Sequence, residues 1–133
     1  MKYLIMLYGT QQDYDMLSGR PGDQPPMSPE QIAAMHAHME AVHKELAESG
    51  ELIDAQGLTA PVHARRVRLR GGAPVVTDGP YAETQEVLAG YTLVECASFD
   101  RATEIAARFV NPEADGAYVD VRPILDGIED LEG

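Results

Sequence analysis

A chain of 133 residues with 22 acidic against 10 basic side chains carries a net charge of −12, which repels phosphate backbones and anionic lipid surfaces, so nucleic-acid and membrane binding are not expected. The length suits one domain, residues 1–133, with a real hydrophobic core. No apolar run approaches the roughly 20 residues of a membrane-spanning helix, and the single cysteine, Cys96, can make no internal disulfide, which fits a reducing cytoplasm.

Met1 to Tyr8 has a basic start and an apolar run, but it turns polar at Gly9 without a small-residue cleavage site, so it reads as a first strand rather than a signal peptide. Tyr3, Ile5 and Leu7 alternate with Leu4, Met6 and Tyr8, and both sets are apolar, so both faces of this strand need cover. Residues 9–27 hold three Gly, three Pro and few apolar anchors. They read as one long loop, either a lid or a plain connection.

Ser28-Pro29-Glu30-Gln31 is a helix start, with Ser28 as N-cap, Pro29 at the first helical position and Gln31 completing a capping box. The helix should run to about Ser49, stopped by Gly50, with Ile32, Met35, Met39, Val42 and Leu46 as its apolar stripe. Leu52 to Leu58 then reads as a strand, on which Asp54 can line a cavity. Val62 to Arg70 and Pro74 to Thr77 read as the two arms of a hairpin closed by Gly71-Gly72, since paired glycines supply the positive φ that a two-residue turn demands.

Thr77 to Gly90 sits between strand-like halves and must leave extended structure at Asp78-Gly79-Pro80. Tyr91 to Cys96 is apolar enough for a central strand. Ser98 or Asp100 can cap a second helix, whose Ala102, Ile105, Ala106 and Phe109 share a face until Asn111-Pro112. Tyr118 to Ile124 is a last strand, and residues 125–133 form an acidic tail that docks or frays. The order strand, helix, strand, hairpin, strand, helix, strand predicts an α+β fold, a ferredoxin-like split βαβ with an inserted β-hairpin and both helices on one face. The bare face predicts a homodimer.

The segment Asp78-Gly79-Pro80-Tyr81 resembles the signature of the YCII-related proteins that carry an Asp-Gly-Pro-Phe motif, with Tyr81 where that family usually has Phe. Further matches at Gly50 to Leu58 and at Val119-Asp120-Val121-Arg122-Pro123 extend the resemblance over nearly the whole chain. It implies a dimeric α/β barrel. It also implies two classes of function. One is acid/base chemistry, dehalogenase- or isomerase-like, on a small cyclic or anionic molecule. The other is non-catalytic ligand binding or regulation, because related sequences accompany extracytoplasmic-function sigma factors.

Asp78, at the end of a strand beside a Gly-Pro turn, can act as general base or acid, or it can cap its own turn through an Asx hydrogen bond. Tyr81, Glu83 and Glu86 follow closely enough to join it at a ligand. His36, Glu40 and His43 fall along one face of the first helix. His36 is the candidate acid/base partner because imidazole titrates near neutrality. Some YCII proteins are thought to use a His-Asp pair, but their histidine motif does not match this helix residue for residue. The His-Glu-x-x-His spacing of zinc-protease helices is absent, and neither metal nor cofactor is expected. Arg66, Arg68 and Arg70 share one face of the hairpin, where Arg68 can bind a carboxylate or phosphate group or simply keep the edge solvated.

Overall fold

The computed structural model describes residues 1–18, 27–79, 81–82, 84–112, 114 and 116–127. The chain forms a mixed α+β structure. In order come β1 (Lys2–Gly9), α1 (Gln11–Leu17), α2 (Pro29–Glu48), β2 (Leu52–Gly57), β3 (Arg65–Arg70), β4 (Ala73–Asp78), β5 (Val87–Glu95), α3 (Phe99–Ala107) and β6 (Asp120–Pro123). Four strands make one antiparallel sheet in the order β2-β5-β1-β6, so β5 lies between the two strands that α2 connects. The hairpin β3-β4 stands as a separate two-stranded sheet.

One face of the large sheet carries the core. Tyr3 and Ile5 of β1 and Thr92 and Val94 of β5 are buried there with Val42 and Leu46 of α2 and Ala102, Ile105 and Ala106 of α3. Both helices therefore cover the same face. The alternate side chains Leu4 and Leu93, which pair across β1 and β5, point to the opposite face with Met6 and Tyr91 and are half-buried.

The ends of the helices are set by local chemistry. Ser28 accepts from Gln31 N while the Gln31 side chain accepts from Ser28 N, and Pro29 occupies the first turn, as expected of the capping box. Ser98, rather than Asp100, caps α3 through Arg101 N. Glu51 joins the sheet side to α3: its carboxylate accepts from Arg101 Nε and Nη2, each at 2.9 Å. That two-pronged contact holds the Glu51 carboxyl down at about 2. At the hairpin tip Gly71 and Gly72 have φ of 60° and 81°, the left-handed conformation of a tight two-residue turn.

Several expectations are corrected. Residues 9–27 are not one loop, because Thr10 caps α1 through a reciprocal bond with Asp13; residues 19–26 lie outside those described. The strand expected from Tyr91 begins at Val87, the last strand spans only Asp120–Pro123, and α3 stops at Ala107 rather than at Asn111-Pro112. Pro61–His63 form a 3-10 turn, which delays β3 to Arg65. In the tail, residues 128–133 are outside the described set.

Candidate functional site

Reading the core-facing side chains row by row across β1, β5 and β2 shows why a cavity forms. One row pairs Tyr3, Val94 and Leu52, the next Ile5, Thr92 and Ala55, and the third Leu7, Gly90 and Gly57. Side-chain bulk falls along the sheet until the floor is bare backbone. Gly90 is also required by its neighbour: a Cβ there would stand 2.9 Å from the Gln56 carbonyl oxygen.

Above this floor α2 continues. A helix of 20 residues is roughly 30 Å long. Its C-terminal half docks through Val42 and Leu46, but its N-terminal half overhangs the glycines with Met35, His36 and Met39. The third side is α1. Tyr14 fixes it by donating its hydroxyl to Leu58 O at 2.8 Å, with Ala89 O at 3.3 Å, and burial pushes the Tyr14 phenol up.

The space between them is an open cleft of about 540 Å³, within the range of small-molecule sites. Its polar groups are few. His43 is half-buried, with Nε2 hydrogen-bonded to Thr92 Oγ1 at 3.2 Å and its ring tilted against Phe109 at 5.5 Å between centroids. Desolvation pushes the His43 imidazole below its ordinary value, which favours the neutral ring. His36 lines the same space from an exposed position about two turns earlier on α2. Asp13, which also caps α1, is the only Asp, Glu, Lys or Arg among the described residues that line it.

The candidates read from the sequence are dispersed. His36 alone of them lines the cavity. Asp78 lies at the exposed end of β4, where its carboxylate pairs with Arg65 at 3.3 Å and both side chains are more than three-quarters exposed. Asp78 and His36 are therefore not brought together in one site. Asp54 faces the opposite side of the sheet and accepts from the Tyr91 hydroxyl at 2.9 Å. Glu86 accepts from the Tyr118 hydroxyl, Tyr81 lies under the Arg66 guanidinium at 5.2 Å, and Arg68 is exposed on the hairpin. Glu83 lies outside the described residues. The sequence reading missed Tyr14, Met39, Thr92 and Gly90. A glycine inside a strand was the available signal for the last, since it marks close backbone approach or an open space.

The family model for the YCII-related domain matches residues 1–126. An uncharacterized protein of Rhizobium meliloti (strain 1021) is 35% identical over 86 residues, which covers 65% of this chain and 69% of that protein.

Proposed function

Because the chain belongs to the YCII-related domain family, we propose that it binds a small, uncharged, largely apolar molecule between α2 and the sheet, with His43 exchanging a proton with it. The observation that carries this reading is the half-buried His43, hydrogen-bonded to Thr92 Oγ1 on the wall of a cavity of about 540 Å³. Because no Lys or Arg among the described residues lines that cavity, an anion entering it would lose hydration without gaining a counter-charge there. A neutral ligand loses little, and Met35, Met39 and Leu7 offer it adaptable apolar contact.

A neutral imidazole accepts a proton from a weakly acidic C–H or O–H and returns it elsewhere, the acid/base step of an isomerase- or dehalogenase-like reaction. Thr92 fixes the ring, and His36 at the rim supplies a second titratable group. Asp78 has no part in this step. The second reading is a binding or regulatory protein without turnover, linked to sigma-factor signalling. It is favoured by the nature of the Thr92 contact, because a hydroxyl behind an imidazole does not raise its basicity as a carboxylate would.

We also infer that the protein is cytoplasmic, that its sheet is ferredoxin-like, and that two copies pack their open faces as a dimeric α/β barrel. Support comes from Leu4, Met6 and Leu93, which lie opposite both helices and are left half-buried. Contact with a second copy would remove their remaining apolar surface from water, at about 25 cal/mol per Å².

The test is ligand-observed NMR with neutral and anionic fragments on wild type and on Met39→Trp, which fills the cavity. Neutral fragments should bind the wild type and lose binding to the variant. Equal binding to both would place the ligand elsewhere. Once a substrate is found, His43→Gln should retain binding and lose 10²-fold or more in turnover if the acid/base reading holds; unchanged turnover would remove His43.

A further inference from the structure

The hairpin β3-β4 is an exposed arm of unusual character. Of its twelve strand residues eleven are exposed, and Val67, Leu69 and Val76 are 65%, 78% and 56% exposed. The register Val67↔Val76 and Leu69↔Pro74 puts these side chains on one face of the arm. The other face carries Arg66, Arg68 and Arg70. A two-stranded hairpin with both edges open and an apolar face in water is marginally stable at best.

Its charge opposes that of the rest of the molecule. Residues 65–78 hold four arginines and one aspartate, a net +3, in a chain of net −12, which leaves −15 on everything else. Arg65 pairs with Asp78 and Arg66 lies over Tyr81, while Arg68 and Arg70 are in no ion pair among the described residues.

A matching acidic corner lies at one end of the open sheet face. Asp120 on β6 accepts from the Tyr8 hydroxyl at 2.7 Å, Glu86 just before β5 accepts from the Tyr118 hydroxyl, and the two tyrosine rings meet at 5.7 Å. The tyrosines hold both carboxylates in place without neutralising them. Neither carboxylate is in an ion pair among the described residues, although Arg122 stands two positions from Asp120 along β6.

We propose that the arm of one copy clasps a second copy of this chain through its arginine face, with Arg68 and Arg70 meeting Glu86 and Asp120 at the rim of the open face. The clasp goes beyond packing of the open faces on one another, and the two are separable by experiment. The second copy is favoured as occupant because the same chain carries the unpaired cations and the positioned anions, so that one contact made twice by a two-fold axis satisfies both. Arginine suits the role because its planar fork matches a carboxylate.

The test is sedimentation equilibrium of four proteins at low and high salt: wild type, Arg68→Glu with Arg70→Glu, the same pair combined with Glu86→Arg and Asp120→Arg, and Leu93→Asp in the open face. All changed positions on the arm are exposed, and circular dichroism checks that each variant folds. The expected result is a salt-sensitive wild-type dimer, a loss of at least tenfold in association for the arm variant with the salt dependence reduced, and recovery in the charge-exchanged protein. An arm variant as dimeric as wild type would overturn the clasp, and if Leu93→Asp were monomeric in the same series the packed open faces would stand without it. A monomeric wild type would overturn both, and an arm variant that weakens without recovery on charge exchange would overturn the pairing with Glu86 and Asp120.

Discussion

His43 Nε2 lies 3.2 Å from Thr92 Oγ1, a hydrogen bond that ties the C-terminal half of the long helix to the central strand at the wall of the cavity. Thr92 is buried and has this one side-chain partner among the described residues, so the bond both fixes the imidazole and satisfies the hydroxyl.

That placement sets a pH dependence. Burial lowers the His43 pKa in the folded protein, while in the unfolded chain it returns to about 6.5. The unfolded state therefore binds more protons below that value, and the contribution of neutral His43, complete above it, is lost as pH falls through the unfolded pKa toward the folded one. In urea titrations between pH 7.5 and pH 5, His43→Gln should lose less stability than wild type. Parallel curves for the two proteins would mean that the ring is as hydrated as in the unfolded chain.

Gly90→Ala should destabilise by about 1–3 kcal/mol, because its Cβ would meet the Gln56 carbonyl at 2.9 Å and backbone there cannot yield as a flexible side chain would. Chemical denaturation measures this directly. A change under 0.5 kcal/mol would show that β2 and β5 can part at no cost.

Much of the frame was legible in the sequence, and the reason is local. Ser28, Pro29 and Gln31 specify the start of α2 through backbone hydrogen bonds that need no tertiary partner, and Gly71-Gly72 specifies the hairpin turn in the same way. Thr10 and Asp13 carry the same kind of signal for α1, but the glycines and prolines that follow obscured it. The site was less legible because it is built from what is missing. Met35 and Met39 continue the apolar stripe of α2 as though toward a core, and only the pairing of β1, β5 and β2 shows that Gly90 and Gly57 leave nothing beneath them. Asp78 drew attention through its turn motif, yet which way a strand end faces depends on where the hairpin stands.

Arg101→Ala should cost about 1.5–3 kcal/mol, since it removes the two guanidinium hydrogen bonds to the Glu51 carboxylate and leaves only the one from Ser49 Oγ among the described residues. The Glu51 pKa is about 2 in the fold, below its unfolded value. Its contribution is therefore present above the unfolded pKa and is lost as pH falls toward 2. Acid titration of the variant should lack that part of the wild-type loss between roughly pH 5 and pH 2. An identical acid profile would show that the ion pair carries no stability.

Asp78→Asn should change thermal stability by under 0.5 kcal/mol, because the Asp78–Arg65 pair is solvated on both sides and Asn preserves the local turn. Fragment binding to the cavity should be unaffected. Loss of binding in a stably folded variant would return Asp78 to the site.

A neutral ligand in the space over Gly90 would lie beside Met35 and Met39, so the methionines report on it. With 13C-methyl-methionine labelling, the six methionines give separate signals, of which Met35 and Met39 line the cavity while Met1 lies outside it. Titration with the neutral fragments that bind should shift Met35 and Met39 together and saturably, leave Met1 in place, and be blocked by Met39→Trp. Shifts confined to other methionines, or tighter binding by anionic than by neutral fragments, would contradict the proposed site and its chemistry.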